Sequence, residues 1–199
     1  MAESETAARP LGPRFRDALS VALVLHGGQA KKGTTVPYLA HLLAVTALVL
    51  EHGGDEDQAV AALLHDAIED AGADVRPLVA RFGSRVAAIV EGCTDTDVKP
   101  KPPYRARKEA YLAHLAEAPP DVILVSMADK LANVRSIITD YRAIGDRLWE
   151  RFNGGKSGTL WYYGAIVDVY AKKTQSTLFR ELERAVRELE GLAGGEQIQ

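Results

Sequence analysis

From Phe15 almost to the end of the chain, apolar residues recur three and four apart. Pairs of glycine or proline cut these runs at Gly27-Gly28, Gly53-Gly54, Pro119-Pro120 and Gly154-Gly155. Spacings of three and four put side chains on one face of a helix, whereas a half-buried strand needs alternation, and no useful length of alternation occurs. The pattern predicts an all-α bundle of about eight to ten helices. It places them over 15–26, 38–52, 55–72 with Asp55 as cap, 74–82, from Ser84 as cap to about Cys93, and 104–118. A long helix capped by Asp121 follows Pro119-Pro120, and three more are broken at Gly145 and at 153–155. The short connection after Gly54 predicts that the second and third helices form an antiparallel hairpin.

With 199 residues, 47% of them apolar, the chain can bury one sizeable core, so a single domain is expected over 14–190 between flexible tails at 1–13 and 191–199. A net charge of −3 gives no global attraction to nucleic acid or anionic lipid, and any anion must be met by a local basic patch. No window reaches the roughly 18 apolar residues that span a bilayer, so no membrane partner is expected. The opening MAESETAARPLGPR lacks the apolar centre of an export signal, which makes the cytoplasm the expected compartment. Cys93 is the one cysteine, which rules out an internal disulfide and a cysteine-rich metal cage. Among the small apolar residues AAIVEGC it reads as a buried, inert thiol.

Against this background a few polar residues stand out. The run AVAALLHDAIEDAG puts His65, Asp66, Glu69 and Asp70 at helical spacing on an otherwise apolar helix, and alone such a stripe is an ordinary solvated face. His41 is the one ionisable group in the first turns of YLAHLLAV, where a lone histidine is more often a hydrogen-bonded core residue than a ligand. Asp129 interrupts VILVSMADKLANVRSI, where a carboxylate is costly unless it pairs with Lys130 or Arg135 or meets a cation. Lys31 and Lys32 sit in the glycine-bearing loop GGQAKKGTTVP. Lys99, Lys101, Arg105, Arg107 and Lys108 crowd a proline-broken stretch that is either a solvated loop or an anion-binding lip.

The hairpin brings the start of the second helix to the end of the third, so His41 can approach His65 and Asp66. With Asp129 these make two imidazoles and two carboxylates, a set suited to manganese, iron, cobalt, nickel or zinc more than to magnesium or calcium. Without thiolates, such a site is catalytic rather than structural. Glu69 and Asp70, one turn on, stand where a phosphoester hydrolase needs a base or a carboxylate to position water.

The motifs HGGQAKKG and PYLAHLLAV, then AALLHDAIED, then SMADKLANVRSI occur in that order. Over roughly 14–170 the sequence resembles the HD-domain superfamily of metal-dependent phosphohydrolases. More narrowly it is similar to the hydrolase domain of RelA/SpoT-type alarmone enzymes and to the single-domain small alarmone hydrolases. The resemblance implies one manganese ion on His41, His65, Asp66 and Asp129, with Glu69 and Asp70 acting on the attacking water. It also implies nucleotide contacts from Lys31, Lys32, Asn133 and Ser136. The implied reaction removes pyrophosphate from the 3′ position of guanosine tetra- or pentaphosphate. Lys31 stands where the long enzymes usually carry arginine, and the stretch between GQ and PY is one residue longer. The same chemistry on an adenosine alarmone, a 3′-phosphonucleotide or the 2′-phosphate of NADPH therefore stays open, as does a nucleotide sensor with little turnover. The chain stops where the long enzymes begin their synthetase domain, so no synthesis is expected.

Overall fold

A computed structural model of the chain describes residues 10–195. Of the expected tails at 1–13 and 191–199, residues 1–9 and 196–199 lie outside the described residues. Among those described, ten α-helices carry the chain: α1 (Pro13–His26), α2 (Leu39–Glu51), α3 (Glu56–Leu64), α4 (Ala67–Ala71), α5 (Arg76–Ala80), α6 (Ser84–Cys93), α7 (Tyr104–Glu117), α8 (Pro120–Ile144), α9 (Gly155–Ala171) and α10 (Thr177–Gly194). Two 3-10 turns lie at Ala73–Val75 and Gly145–Arg151. The fold is all-α, and strand-like pairing among these residues is limited to one bridge between Ala30 and Pro37. No helix among them is long and apolar enough to cross a membrane.

α3 lies at the centre. Every residue from Ala59 to Leu64 is fully buried, which a helix tolerates only when neighbours close over all its sides, and here α1, α2, α6 and α8 do so. Asp55 starts it with a complete capping box: its carboxylate accepts from the Gln58 amide at 3.1 Å, and the Gln58 side chain accepts from the Asp55 amide at 2.9 Å. α8, 25 residues long, runs along α2, α3, α6 and α10. Its contact with α6 requires Gly92, because a Cβ there would lie 2.5 Å from Val122 Cγ2. Leu178, Leu182 and Leu189 of α10 are fully buried, each contributing about 1.5–3 kcal/mol of transfer free energy.

Several boundaries differ from the sequence pattern, each for a local reason. Asp121 and Ser84 are not caps. Pro119 and Gly83 hold the cap positions, the latter at φ +115, and Asp121 instead joins the starts of α8 and α3 by accepting from Gln58 Nε2 at 2.9 Å. The segment expected as one helix over 74–82 divides into a 3-10 turn and α5, which begins afresh at Arg76-Pro77 because proline fits the first turn of a helix. α10 continues to Gly194, past the expected boundary at 190, since Leu189 and Ala193 still face the core. The largest difference is in the run AVAALLHDAIEDAG. It is not one helix: α3 ends at Leu64, His65 and Asp66 form a turn, and α4 begins at Ala67.

Candidate active site

That turn builds the site. In a continuing helix the Ala62 carbonyl would accept from the Asp66 amide. Here His65 Nδ1 donates to it at 2.8 Å. Asp66 settles at φ −95°, ψ 0°, and its own carbonyl starts α4 by accepting from the Asp70 amide at 3.0 Å. On a regular helix two adjacent side chains diverge by about 100°. With the break, His65 Nε2 and Asp66 Oδ2 lie 3.0 Å apart.

The antiparallel packing of α2 on α3 carries His41 to the same point, and α8 carries Asp129. His41 Nε2 is 3.2 Å from Asp129 Oδ1 and 3.7 Å from Asp66 Oδ2, while His65 Nε2 is 3.6 Å from Asp129 Oδ1. One donor atom from each of His41, His65 and Asp66 fits within 4.8 Å, close enough to share a divalent cation. The donor chemistry fits such an ion. His65 Nδ1 donates to the Ala62 carbonyl, which leaves Nε2 as the ring atom turned to the cluster; that atom is fully buried and has no hydrogen-bond partner despite two carboxylates within 4 Å. Burial favours the neutral form of both carboxylates. His65 outweighs it at Asp66, and Lys130 with the two imidazoles outweighs it at Asp129, so both acids are held below the usual carboxylate range. Burial likewise opposes charge on His65, and the two facing aspartates overcome it.

Asp129 shows why its two sequence readings were not exclusive. Lys130 pairs with Oδ2, while Oδ1 turns to the histidines and accepts from Asn133 Nδ2 at 2.6 Å. Arg135, the other candidate partner, faces Glu181 at 2.7 Å instead. Asn133 is thus in place to orient the Asp129 carboxylate. Tyr38 went unnoticed in the sequence: its hydroxyl donates to Asp66 Oδ2 and its ring lies between His26 and His41, at 5.5 and 5.4 Å. Its only local signal is the Pro-Tyr pair just ahead of α2.

Beside the cluster opens a cavity of about 360 Å³, within the range of small-molecule sites. His41, Glu69, Lys31, Lys32, Asn133 and Ser136 all line it. The loop after α1 is pinned as a hairpin, Lys31 N–H to Val36 carbonyl at 2.8 Å and Tyr38 N–H to Gln29 carbonyl at 2.9 Å, which aims its lysines inward. Lys31 Nζ donates to Ser136 Oγ and Lys32 Nζ to Asn153 Oδ1 at 3.5 Å. Glu69 and Asp70 part company. Glu69 faces the cavity, paired with Lys101 at 2.6 Å, whereas Asp70 turns towards α1, its Oδ2 3.6 Å from His26 Nδ1, and is not among the lining residues. Burial, then the nearby Asp66 charge, raises the Asp70 carboxyl above its ordinary value.

The sequence profile of the HD domain matches residues 18–158. A guanosine-3′,5′-bis(diphosphate) 3′-pyrophosphohydrolase of Aquifex aeolicus is 36% identical over 110 residues, 55% of this chain and 16% of that one, so the chain spans about a sixth of that relative. The enzyme MESH1 of Xenopus tropicalis, named as a hydrolase of the same compound, is 36% identical over 124 residues, 61% of this chain and 68% of its own. The solved structure of a metazoan SpoT orthologue superposes with a TM-score of 0.73 over 91% of this chain and 97% of that one, at 24% identity, which shows a shared fold. The profile runs through α2, the turn after α3 and α8, the three places that supply the clustered histidines and aspartates, and the chain belongs to the HD domain family.

Proposed function

We propose that the protein is a manganese-dependent hydrolase that removes the 3′-pyrophosphate of guanosine tetra- and pentaphosphate, leaving GDP or GTP, and that it acts in the cytoplasm. The observation that carries this reading is the buried, unpartnered Nε2 of His65, one of four clustered nitrogen and oxygen donors of which His41 reaches the wall of a cavity that also holds Glu69 and cationic side chains. The similar proteins named for this activity support the choice of substrate.

His41, His65, Asp66 and Asp129 would hold the ion; two nitrogens and two oxygens without sulfur suit manganese. When bound, the ion supplies Lewis acidity, drawing charge from the 3′-linked phosphate and making water a competent nucleophile near neutral pH. Glu69, the carboxylate on the cavity wall, takes the proton of the attacking water. Asp70, set behind it against His26, holds Glu69's end of α4 in place rather than meeting substrate. As the water oxygen bonds to the nearer phosphorus, the bond from that phosphorus to ribose O3′ breaks, and the ribose oxygen leaves with the proton that Glu69 took up. Tyr38 and Asn133 keep Asp66 and Asp129 aimed, and Lys31, Lys32, Asn133 and Ser136 bind the nucleotide.

Purified protein incubated with guanosine tetraphosphate and manganese should release pyrophosphate, with turnover of the adenosine analogue run in parallel. Absence of release at saturating metal overturns the hydrolase reading. Preference for the adenine substrate overturns only the choice of base. A nucleotide sensor fits less well, because it has no need of a carboxylate beside the cation donors.

A further inference from the structure

The five cations between 99 and 108 do not act together. Lys99 reaches the Asp70 carbonyl at 3.4 Å, Lys101 pairs with Glu69, and Arg105 lies over Trp161 while bonding Glu109 at 2.6 Å. Arg107 and Lys108 instead turn inward. Their side chains are 10% and 14% exposed, and both converge on a single oxygen of Asp95, itself 6% exposed, with Lys108 Nζ at 2.7 Å. Arg107, Lys108 and Lys130 all line the cavity beside the cation cluster.

The charges in that corner do not cancel. Three cations share Asp95 and Asp129, Asp129 is also committed to the histidine cluster, and Glu69, the other carboxylate that Lys108 feels, is already paired with Lys101. Burial, then the neighbouring Lys130 and Arg107, pushes the Lys108 ammonium down to about 7, as expected of a cation short of counter-charge. A second, independent observation lies on α9. Tyr162 is 4% exposed, lines the same cavity, and its buried hydroxyl has no hydrogen-bond partner, although Lys108 Nζ is only 4.5 Å from its ring centre. Burying a hydroxyl without a partner is costly. An unpaired donor together with surplus positive charge describes a site shaped for an anion. Its place along α8 is also informative. Lys130 adjoins Asp129, whereas Lys31 meets α8 at Ser136, about 9 Å further along the axis. The cavity thus has two cationic ends, and the one built on Lys108 abuts the cation cluster.

Resting on the hydrolase reading above, we propose that Arg107, Lys108, Lys130 and the Tyr162 hydroxyl form the subsite for the departing diphosphate, gripping its far phosphate. Asp95 is then a positioning residue that fixes the two α7 cations. A nucleoside carrying diphosphates at both ends could present either one here, and the ribose 5′-diphosphate is the competing source of the same chemistry.

The test titrates full-length protein at a fixed free-manganese concentration with inorganic pyrophosphate and, separately, with GDP, reading affinity by calorimetry. Lys108→Met keeps the apolar stem on the Tyr162 ring and should weaken pyrophosphate about tenfold or more, with GDP changed less than about twofold. Tyr162→Phe guards against misfolding as an explanation. It deletes an oxygen that has no partner in the free protein, so thermal stability should hold or rise while pyrophosphate affinity falls about threefold or more. Weakened GDP with unchanged pyrophosphate overturns the assignment to the 3′-diphosphate, and no change in either overturns the subsite. Pyrophosphate binding that depends on Lys108 in a protein without turnover would retire the hydrolase reading and leave the anion site standing.

Discussion

Arg85 and His65 each face two or more aspartates, yet the two clusters are built to opposite ends. The Arg85 guanidinium forks onto both oxygens of Asp121, at 2.8 and 3.0 Å, and reaches Asp55 at 2.6 Å, with its side chain 41% exposed. Those contacts are aligned hydrogen bonds, and water can cover the remainder. His65 Nε2 lies as close to Asp66, at 3.0 Å, without hydrogen-bond alignment and out of reach of water. An exposed network closed on itself is a fastening. A buried one whose polar atoms are not aligned on one another costs stability that its own contacts do not return, and the two should respond differently to the same kind of change.

Asp66→Asn strikes the open cluster hardest. Turnover should fall below detection, and metal content after purification, read by mass spectrometry, should fall with it. The metal-free variant should melt below the metal-free wild type, because the His65 ring and the Tyr38 hydroxyl favour the ionised Asp66 carboxylate in the fold. Added manganese should raise the melting temperature of the wild type alone; at 100 times the dissociation constant the gain is about 2.7 kcal/mol. Equal stabilisation of both proteins would mean that Asp66 is not a ligand.

Glu69→Gln separates chemistry from metal holding. The rate constant should drop by about 10² to 10⁴, with metal content unchanged and the loss in kcat rather than KM. Asn133→Ala comes next. Asp129 Oδ1 loses the 2.6 Å hydrogen bond that aims it, and metal affinity should fall by about 10- to 100-fold while saturating manganese restores most of the rate. Retained affinity would place Asn133 with the nucleotide instead.

The helical fold was legible because its punctuation is local. Glycine after a helix and proline in its first turn act within a few residues, as at Gly27, Gly72 and Pro120. The site was legible as a set of misplaced polar residues, and the structure brings His41, His65 and Asp66 together. What periodicity hid was the break between Leu64 and Ala67, since the apolar spacing runs on unchanged and the cause is a side chain taking a backbone carbonyl. Long-range partners were hidden too. Tyr38 meets Asp66 from 28 residues away and Asp121 meets Gln58 from 63, distances at which no local pattern survives. The basic stretch before and within α7 read as one patch, although only its packing decides that Arg107 and Lys108 face inward while Arg105 faces Trp161.

The smallest effect belongs to the closed network. Arg85→Ala should cost about 1 kcal/mol at pH 7, because solvent screens pairs this exposed, and should leave turnover unchanged. Its dependence on pH gives the sharper contrast with the cation cluster. Burial raises the Asp55 carboxyl, but the Arg85 guanidinium and the Gln58 amide outweigh it and hold it below the usual value. An acid whose folded value is depressed contributes stability above its unfolded value, about 3.9, and loses that contribution as pH falls through the folded one. The gap between wild type and variant, measured by urea unfolding, should therefore be full at pH 7 and close as the pH drops below about 4. High salt should narrow it at pH 7 as well. A gap that persists through acid and salt would mean that Arg85 acts through the packing of its stem, and the two clusters would then differ in exposure but not in the kind of work their charges do.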